Sequence, residues 1–249
     1  MRILVVNCNT SAAMTAAIAE IARGSAGPAT EIVPLTPGFG PESAEGYYES
    51  FIAAAAMLDV VERYDGEFDA IITAGFGEHG REGMRQRWSV PVVDITEAAA
   101  MAANLVSHRF GIVTTLSSTL AGIWDSLTTA GLHARCVDVR ASDIPVATIH
   151  ADPSAVADTL EAEARTVIAQ GAEAIVLGCA GFAGLSEELS SRLGAPVIDG
   201  VVMAVRFAEA LVASGLTTSK IGAYRAPNSE KRWVAWPSPT VAALDPVAA

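Results

Sequence analysis

The sequence predicts an α/β fold in which parallel sheets are covered by helices. Short apolar runs rich in β-branched residues alternate with alanine-rich helical patterns along the chain. Each run is apolar at consecutive positions, which is typical of strands buried on both faces. A hydrophobic fraction of 51% with only 18% charged residues further indicates a large core rather than disorder.

Strands and helices alternate four times in the first half of the chain. The predicted strands are "RILVVN", "EIVPL", "DAIITA" and "VPVVDI". The predicted helices run from Thr10 or Ser11 to about Arg23, from about Ser43 to Tyr64, up to about Trp88, and through "TEAAAMAANLVSH". A glycine- and proline-rich loop, "GFGPESAEG", precedes the second helix and contains Glu45. Such a loop is either a connector or a lid over a site.

The second half repeats the pattern with strands "RFGIVTT", "ARCVDVR", "EAIVLGC" and "APVIDG". "DAIITAG" (69–75) aligns with "EAIVLGC" (173–179), and "PVVD" (91–94) aligns with "PVID" (196–199), at nearly the same offset. This constancy indicates duplication of one α/β unit. We therefore expect two pseudo-symmetric, flavodoxin-like lobes. The first would comprise residues 1–97 plus 215–249, and the second residues 98–214.

The carboxyl ends of the strands are the expected place for a ligand, in the cleft between the lobes. Asn7, Gly75, Thr114 and Cys179 all stand at such ends. Cys179 is the leading catalytic candidate, because it would lie just before a helix N-terminus whose amides favour a thiolate. A buried structural cysteine is the alternative.

Other candidates surround these corners. Their polar side chains and flexible backbone could hold a polar ligand, although helix capping is an equal explanation for the hydroxyls. The substrate-binding candidates are Asn7, Asn9, Glu45, Phe76, Gly77, Thr114, Thr115, Gly178, Ala180 and Gly181. Cys8 is either a small apolar residue or a second thiol in the cleft.

Composition disfavours several other functions. A formal charge of −12 with only 16 Lys and Arg disfavours a nucleic-acid surface. The sequence lacks both a long apolar run and a signal peptide, so we expect a cytoplasmic protein with no membrane segment. Three cysteines without close pairs argue against a disulfide framework, and the absence of HExxH and CxxC argues against a metal site.

The motifs "RILVVNCNTS", "FGIVTTLS", "AIVLGCAGFAGL", "APVID" and "TSKIGAYRAP" occur in that order along almost the whole chain. Together they resemble the hydantoin and allantoin racemases of the aspartate/glutamate/hydantoin racemase superfamily. The resemblance implies an isomerase without a cofactor, homo-oligomers, and a small substrate such as a 5-substituted hydantoin or an allantoin-like cyclic ureide. It also implies one cysteine from each lobe on opposite faces of the stereocentre, with Cys179 as the acid/base of the second lobe.

The chain departs from this pattern in the first lobe. The family motif there is usually Ala-Cys-Phe-Gly, whereas this chain has Gly75 in place of the cysteine. Cys8, Glu78 and His79 are the possible substitute acid/base groups, and Gly75→Cys is expected to create or raise racemase activity. Arylmalonate decarboxylases also pair one second-lobe cysteine with a glycine, so a one-sided lyase or isomerase is the alternative. A ligand-binding protein without activity is a third.

Overall fold

The computed structural model describes residues 1–149, 153–228, 231 and 234. The first sheet is built from β1 (Arg2–Asn7), β2 (Glu31–Leu35), β3 (Ala70–Ala74) and β4 (Val92–Asp94), with α1 (Ala12–Ser25), α2 (Tyr47–Glu62) and α3 (Arg81–Arg87) between them. All its strand pairs are parallel, in the order β2-β1-β3-β4.

The second sheet follows from α4 (Ile95–Val106). Its strands are β5 (Phe110–Thr114), β6 (Cys136–Ala141), β7 (Ala174–Gly178) and β8 (Val197–Asp199), and its further helices are α5 (Leu120–Thr129), α6 (Pro153–Ala169), α7 (Ser186–Leu193) and α8 (Gly200–Ala213). The strands are again all parallel, in the order β6-β5-β7-β8. The predicted α/β class and its two pseudo-symmetric lobes, one for each sheet, are confirmed.

The paired strands bring equivalent residues of the two lobes to equivalent positions. In the first sheet Asn7 is level with Ala74, immediately before Gly75. In the second sheet Thr114 is level with Gly178, immediately before Cys179. Both central strand pairs are almost fully buried, as continuous apolar runs predict. The corners after β3 and β7 are therefore structural counterparts.

Two helices pack against the lobe opposite to their place in the sequence. Helix α4 packs on β7, β8 and α5 of the second lobe, and α8 packs on α1, β3 and β4 of the first. The two helices also pack on each other. The segment after α8 returns to the first lobe, where Tyr224 donates a hydrogen bond to Glu82 (2.6 Å). The division into residues 1–97 plus 215–249 and 98–214 stays a prediction; α8, which it assigns to the second lobe, packs on the first sheet.

One helix begins later than the sequence predicts, and another is short. Helix α2 begins at Tyr47 rather than near Ser43, since the preceding loop bonds to other elements instead of to itself. Helix α3 covers only Arg81–Arg87, because Gly77 and Gly80 adopt positive φ angles of 118° and 91° that end regular helix geometry. The corner after β3 is thus a loop, 75–80, rather than the first turn of a helix.

Candidate active site

A small cavity lies between the carboxyl ends of the two sheets, and we call it the inner cavity. It is lined by Asn7, Cys8, Met14, Ile18, Ala44, Ala74, Gly75, Phe76, His79, Thr114, Thr115, Thr119, Val146, Gly178, Cys179, Ala180 and Gly181. Its volume of about 40 Å³ holds at most a few water molecules. The structure therefore brings together the loops that follow β3 and β7. The cavity between them is too small for a ring-sized ligand, so it must open to admit one.

Cys179 stands at this cavity, but at a different kind of helix end than the sequence predicts. It caps a short 3-10 turn, Ala180–Phe182, whereas α7 begins only at Ser186. The Gly181 amide donates to the Cys179 sulfur at 3.3 Å. Burial raises the pKa of Cys179 to about 11, although the amides of Gly181 and Phe182 act in the opposite direction. The resting group is therefore a thiol rather than the expected stabilised thiolate.

The Gly75 corner is crowded by two other candidates. A Cβ atom placed on Gly75 would lie 2.7 Å from Cβ of Cys8, 2.8 Å from Nδ1 of His79 and 2.9 Å from Cγ of His79. Real Cβ atoms do not approach carbon or nitrogen so closely. Gly75 consequently admits both side chains into the space that a larger residue would take.

His79 is a buried histidine, 4% exposed. Its Nε2 lies 3.5 Å from the hydroxyl of Ser50, which itself donates to the Gly46 carbonyl at 2.8 Å. Its Nδ1 is buried and has no hydrogen-bond partner among the described residues. Burial, aided by the positive charge of Arg81, lowers the pKa of His79 to about 4. The imidazole is thus neutral near pH 7.

Cys8 also lines the inner cavity, at the end of β1. Burial, together with the negative charge that Cys179 carries when ionised, raises the pKa of Cys8 to about 12. Cys8 is therefore the more weakly acidic of the two cavity thiols. The third cysteine, Cys136, lies in β6 and does not line this cavity.

The polar residues after β1 bond mainly to each other. Asn7 donates from Nδ2 to Oδ1 of Asn9 (2.8 Å) and to the hydroxyl of Thr15 (3.0 Å). Asn9 accepts from the amide of Ser11 (3.0 Å), and Ser11 caps α1 by accepting from the Met14 amide. The two asparagines thus hold the β1–α1 loop in shape, and only Asn7 lines the inner cavity.

Other predicted residues are similarly engaged. Thr114 donates to the Gly178 carbonyl at 2.8 Å, and Thr115 lies beside it. The Gly77 amide donates to Thr96 at 2.8 Å. Gly77 therefore lacks a free amide for an oxyanion.

Glu78 points away from the inner cavity. Its Oε1 accepts from the Gly80 amide (2.6 Å), and its Oε2 lies 3.0 Å from Nε of Arg81. Arg81, only 1% exposed, also contacts Asp94 (3.4 Å) and donates to Ser126 (2.7 Å). The structure thus separates Glu78 from Cys179 and assigns it to an ion-pair network.

The loop before α2, residues 36–46, connects the lobes beside the cavity. Glu45 accepts from the Val146 amide at 3.0 Å, and its carbonyl accepts from the Ser118 hydroxyl. The hydroxyl of Tyr47, at the start of α2, donates to Asp125. These bonds from first-lobe residues to second-lobe residues close the entrance, as a lid does.

A larger space adjoins the inner cavity, and we call it the outer pocket. Its volume is about 330 Å³, and it shares Ala44, Phe76, His79 and Thr119 with the inner cavity. Its walls are mainly apolar and aromatic, with Tyr47, Phe51 and Ile123 on them. This pocket has the size and chemistry to hold a substituent of a ligand whose polar part occupies the inner cavity.

Sequence reasoning missed several residues that shape the site. Ser50, Thr96 and Ser126 lie within hydrogen-bonding distance of groups in the 75–80 loop. Arg81 forms an ion pair with Glu78 of the same loop. An arginine that directly follows a glycine, as Arg81 follows Gly80, carries no distinctive signal in the sequence. No group of three or more His, Cys, Asp and Glu within the described residues has the arrangement of a metal site. No described helix is long and apolar enough to cross a membrane.

Fold and site together define a duplicated, two-lobed α/β protein with a thiol between its lobes. Residues 3–208 match the Asp/Glu/Hydantoin racemase family, and the chain belongs to that family. It is therefore an isomerase of the racemase type.

The chain is similar to several racemases over nearly its full length. The crystal structure of allantoin racemase from Pseudomonas fluorescens is 52% identical, with a TM-score of 0.93 over 94% of this chain and 100% of that chain. Allantoin racemase from Klebsiella pneumoniae is 39% identical, with a TM-score of 0.89 over 95% and 97%. The hydantoin racemase of Pseudomonas sp. (strain NS671) is 35% identical over 93% of this chain and 94% of its own length. Arylmalonate decarboxylase, at 17% identity and a TM-score of 0.61 over 86% of this chain and 94% of its own, shares the fold.

Proposed function

We propose that the chain is a cofactor-independent racemase of a 5-substituted hydantoin or an allantoin-like cyclic ureide. The observation that carries this proposal is the inner cavity, where Cys179 of one lobe meets the Gly75 corner of the other. Groups from opposite lobes can address opposite faces of one carbon. The hydantoin and allantoin racemases among the relatives support the choice of substrate.

Cys179 acts in this proposal as an acid/base at the α-carbon. As a thiol it donates a proton to an enolate, and as a thiolate it removes one. The strongly raised pKa of Cys179 favours the thiol, so proton donation is the role for which the resting group is ready. After donating its proton, the Cys179 thiolate takes up a proton from the substrate or from solvent, and the resting thiol is restored.

Binding of the substrate ring is assigned to the surrounding polar and backbone groups. Asn7, Glu45, Thr114 and Thr115 line or border the inner cavity, while Asn9 supports Asn7. The backbone of Phe76, Gly178, Ala180 and Gly181 completes the wall. Gly77 contributes conformation rather than an amide, since its amide is bound to Thr96.

A one-sided reaction is the second candidate. The observation in its favour is that Gly75 supplies no thiol. In that case Cys179 would protonate, on one face, an enolate formed by another route such as loss of a carboxylate.

Single enantiomers of 5-substituted hydantoins and of allantoin, incubated in D₂O, distinguish the candidates. Loss of optical rotation together with α-deuteration supports the racemase. Release of CO₂ from an arylmalonate without hydantoin racemisation supports the one-sided lyase. Absence of any reaction, with ligand binding unchanged in Cys179→Ala, indicates a binding protein. Cys136→Ala is the matched control, because this cysteine lies outside the cavity.

A further inference from the structure

We propose that His79 is the second catalytic acid/base of this site and works from the face that Gly75 leaves open. This inference rests on the proposed racemase function and identifies the group that replaces the missing first-lobe cysteine. In one direction of racemisation His79 accepts the proton from the α-carbon and Cys179 donates one to its opposite face. In the other direction the two groups exchange these roles.

Position is the first argument. A side chain at residue 75 would begin at its Cβ atom, and Nδ1 of His79 lies 2.8 Å from that point. The imidazole therefore occupies the space in which a first-lobe thiol would start. His79 and Cys179 line the same inner cavity from opposite lobes.

The hydrogen bonds around the ring determine which nitrogen can act. The Ser50 hydroxyl donates its proton to the Gly46 carbonyl, so its oxygen is left as an acceptor for Nε2–H. That tautomer leaves the lone pair on Nδ1. This nitrogen is buried and has no partner among the described residues, and an unsatisfied buried nitrogen is costly unless it serves a ligand.

The charge state suits a general base. With the pKa of His79 lowered to about 4, the ring is unprotonated at neutral pH, so its lone pair is available, but the lowered pKa also makes it a weaker base than a solvent-exposed imidazole. The Cys8 thiol and the Ser50 hydroxyl lie beside the ring, the Arg81 charge acts on it, and Glu78, Glu82 and Asp125 line the outer pocket that His79 shares. Among the described residues no carboxylate is hydrogen-bonded to either ring nitrogen, so none of them holds the ring in its protonated form.

The other two candidates are less suited to the role. Glu78 is bound to Arg81 and to the Gly80 amide outside the inner cavity. Cys8 reaches the cavity, but its pKa of about 12 makes its thiolate scarce at neutral pH. His79 alone among the three combines access to the cavity with an available lone pair.

Racemisation in one direction moves one proton from the substrate to His79 and one proton from Cys179 to the substrate. Nδ1 of His79 takes the proton from the α-carbon, and the C–H electron pair moves into the carbonyl to give an enolate. The Cys179 thiol then donates its proton to the opposite face, and the enolate electrons form the new C–H bond. The products are an imidazolium and a thiolate, which start the reverse reaction or return to their resting forms through proton exchange with solvent.

The test compares His79→Gln and Cys179→Ser with the wild-type enzyme, using each enantiomer of 5-benzylhydantoin and of allantoin in D₂O. His79→Gln should lower racemisation by about 10²- to 10⁴-fold and keep α-deuteration of one enantiomer only. Cys179→Ser should keep deuteration of the opposite enantiomer only. Residual exchange in His79→Gln should rise with pH towards about 11, where Cys179 ionises.

Controls separate catalysis from folding. His133→Gln changes an exposed histidine of the second lobe and should leave both rates unchanged. Added imidazole should restore part of the lost racemisation in His79→Ala, which a purely structural role of the side chain does not predict. His79→Asn provides the same measurements if His79→Gln is too unstable.

Racemisation by His79→Gln within a few-fold of the wild type would overturn the inference while leaving the racemase function intact. The inference would also be overturned, with the racemase function intact, if Cys8→Ser rather than His79→Gln limited α-deuteration to one enantiomer. A wild-type enzyme that exchanges neither enantiomer of either probe would instead remove the proposed function, and the inference with it.

Discussion

Alanine at position 75 tests the crowding that underlies the assignment of His79. The added methyl carbon would meet Cβ of Cys8 at 2.7 Å and two atoms of the His79 ring at 2.8 and 2.9 Å. Carbon atoms normally remain at least about 3.5 Å apart, so these neighbours must move by roughly 0.6 to 0.8 Å. Such overpacking of a filled interior costs about 1–3 kcal/mol. Gly75→Ala should lower the free energy of unfolding by that amount.

A double-mutant cycle attributes the cost to its source. His79→Ala removes two of the three short contacts, so Gly75→Ala should cost about 1 kcal/mol less in that background. Gly24→Ala is the control, since a Cβ there meets nothing within 4 Å. Within α1 this change should stabilise the protein by up to about 1 kcal/mol.

Chemical denaturation of the four cycle members and the control, monitored by circular dichroism, provides the free energies. A cost below about 0.5 kcal/mol for Gly75→Ala, equal in both backgrounds, would contradict the crowded corner described above. The His79 ring would then not occupy the space in which a side chain at residue 75 would start.

Three more changes and one pH scan follow from the same contacts. Gly75→Cys, which the sequence suggests should restore activity, should instead slow hydantoin racemisation, because its Cβ displaces the His79 ring. Tyr47→Phe removes the hydroxyl that donates to Asp125, so steady-state kinetics should show a raised KM with a smaller change in kcat. Since burial lowers the folded-state pKa of His79 from 6.5 to about 4, the unfolded chain binds the proton first. The free energy of unfolding should therefore fall by up to about 3 kcal/mol between pH 6.5 and 4, and this part should vanish in His79→Gln. Arg81→Met leaves the buried Asp94 carboxylate without its cation, whereas Glu97 keeps Arg85, and it should cost about 3–5 kcal/mol in denaturant unfolding.

These outcomes depend on loops that sequence patterns describe poorly. The regular elements were predictable because burial on both faces requires continuous apolar runs, such as those of β1 and β3. The starts of α2 and α3 were not, because glycine conformations and hydrogen bonds to distant residues decide them. The pairing of α4 and α8 with the opposite lobes likewise depends on packing between segments far apart in the chain.

By itself, the sequence determined the α/β class, the duplicated lobes, and the positions of Asn7, Gly75, Thr114 and Cys179 at strand ends. Parallel topology brings such ends to one edge, so local pattern and repeat were sufficient. Only the tertiary structure distinguishes the surroundings of Cys8, Glu78 and His79, on which the proposal for His79 rests. That proposal depends on which nitrogen lacks a partner, which carboxylate meets Arg81 and how far each thiol is buried. These properties arise from contacts between loops and lobes, and no local sequence pattern encodes them.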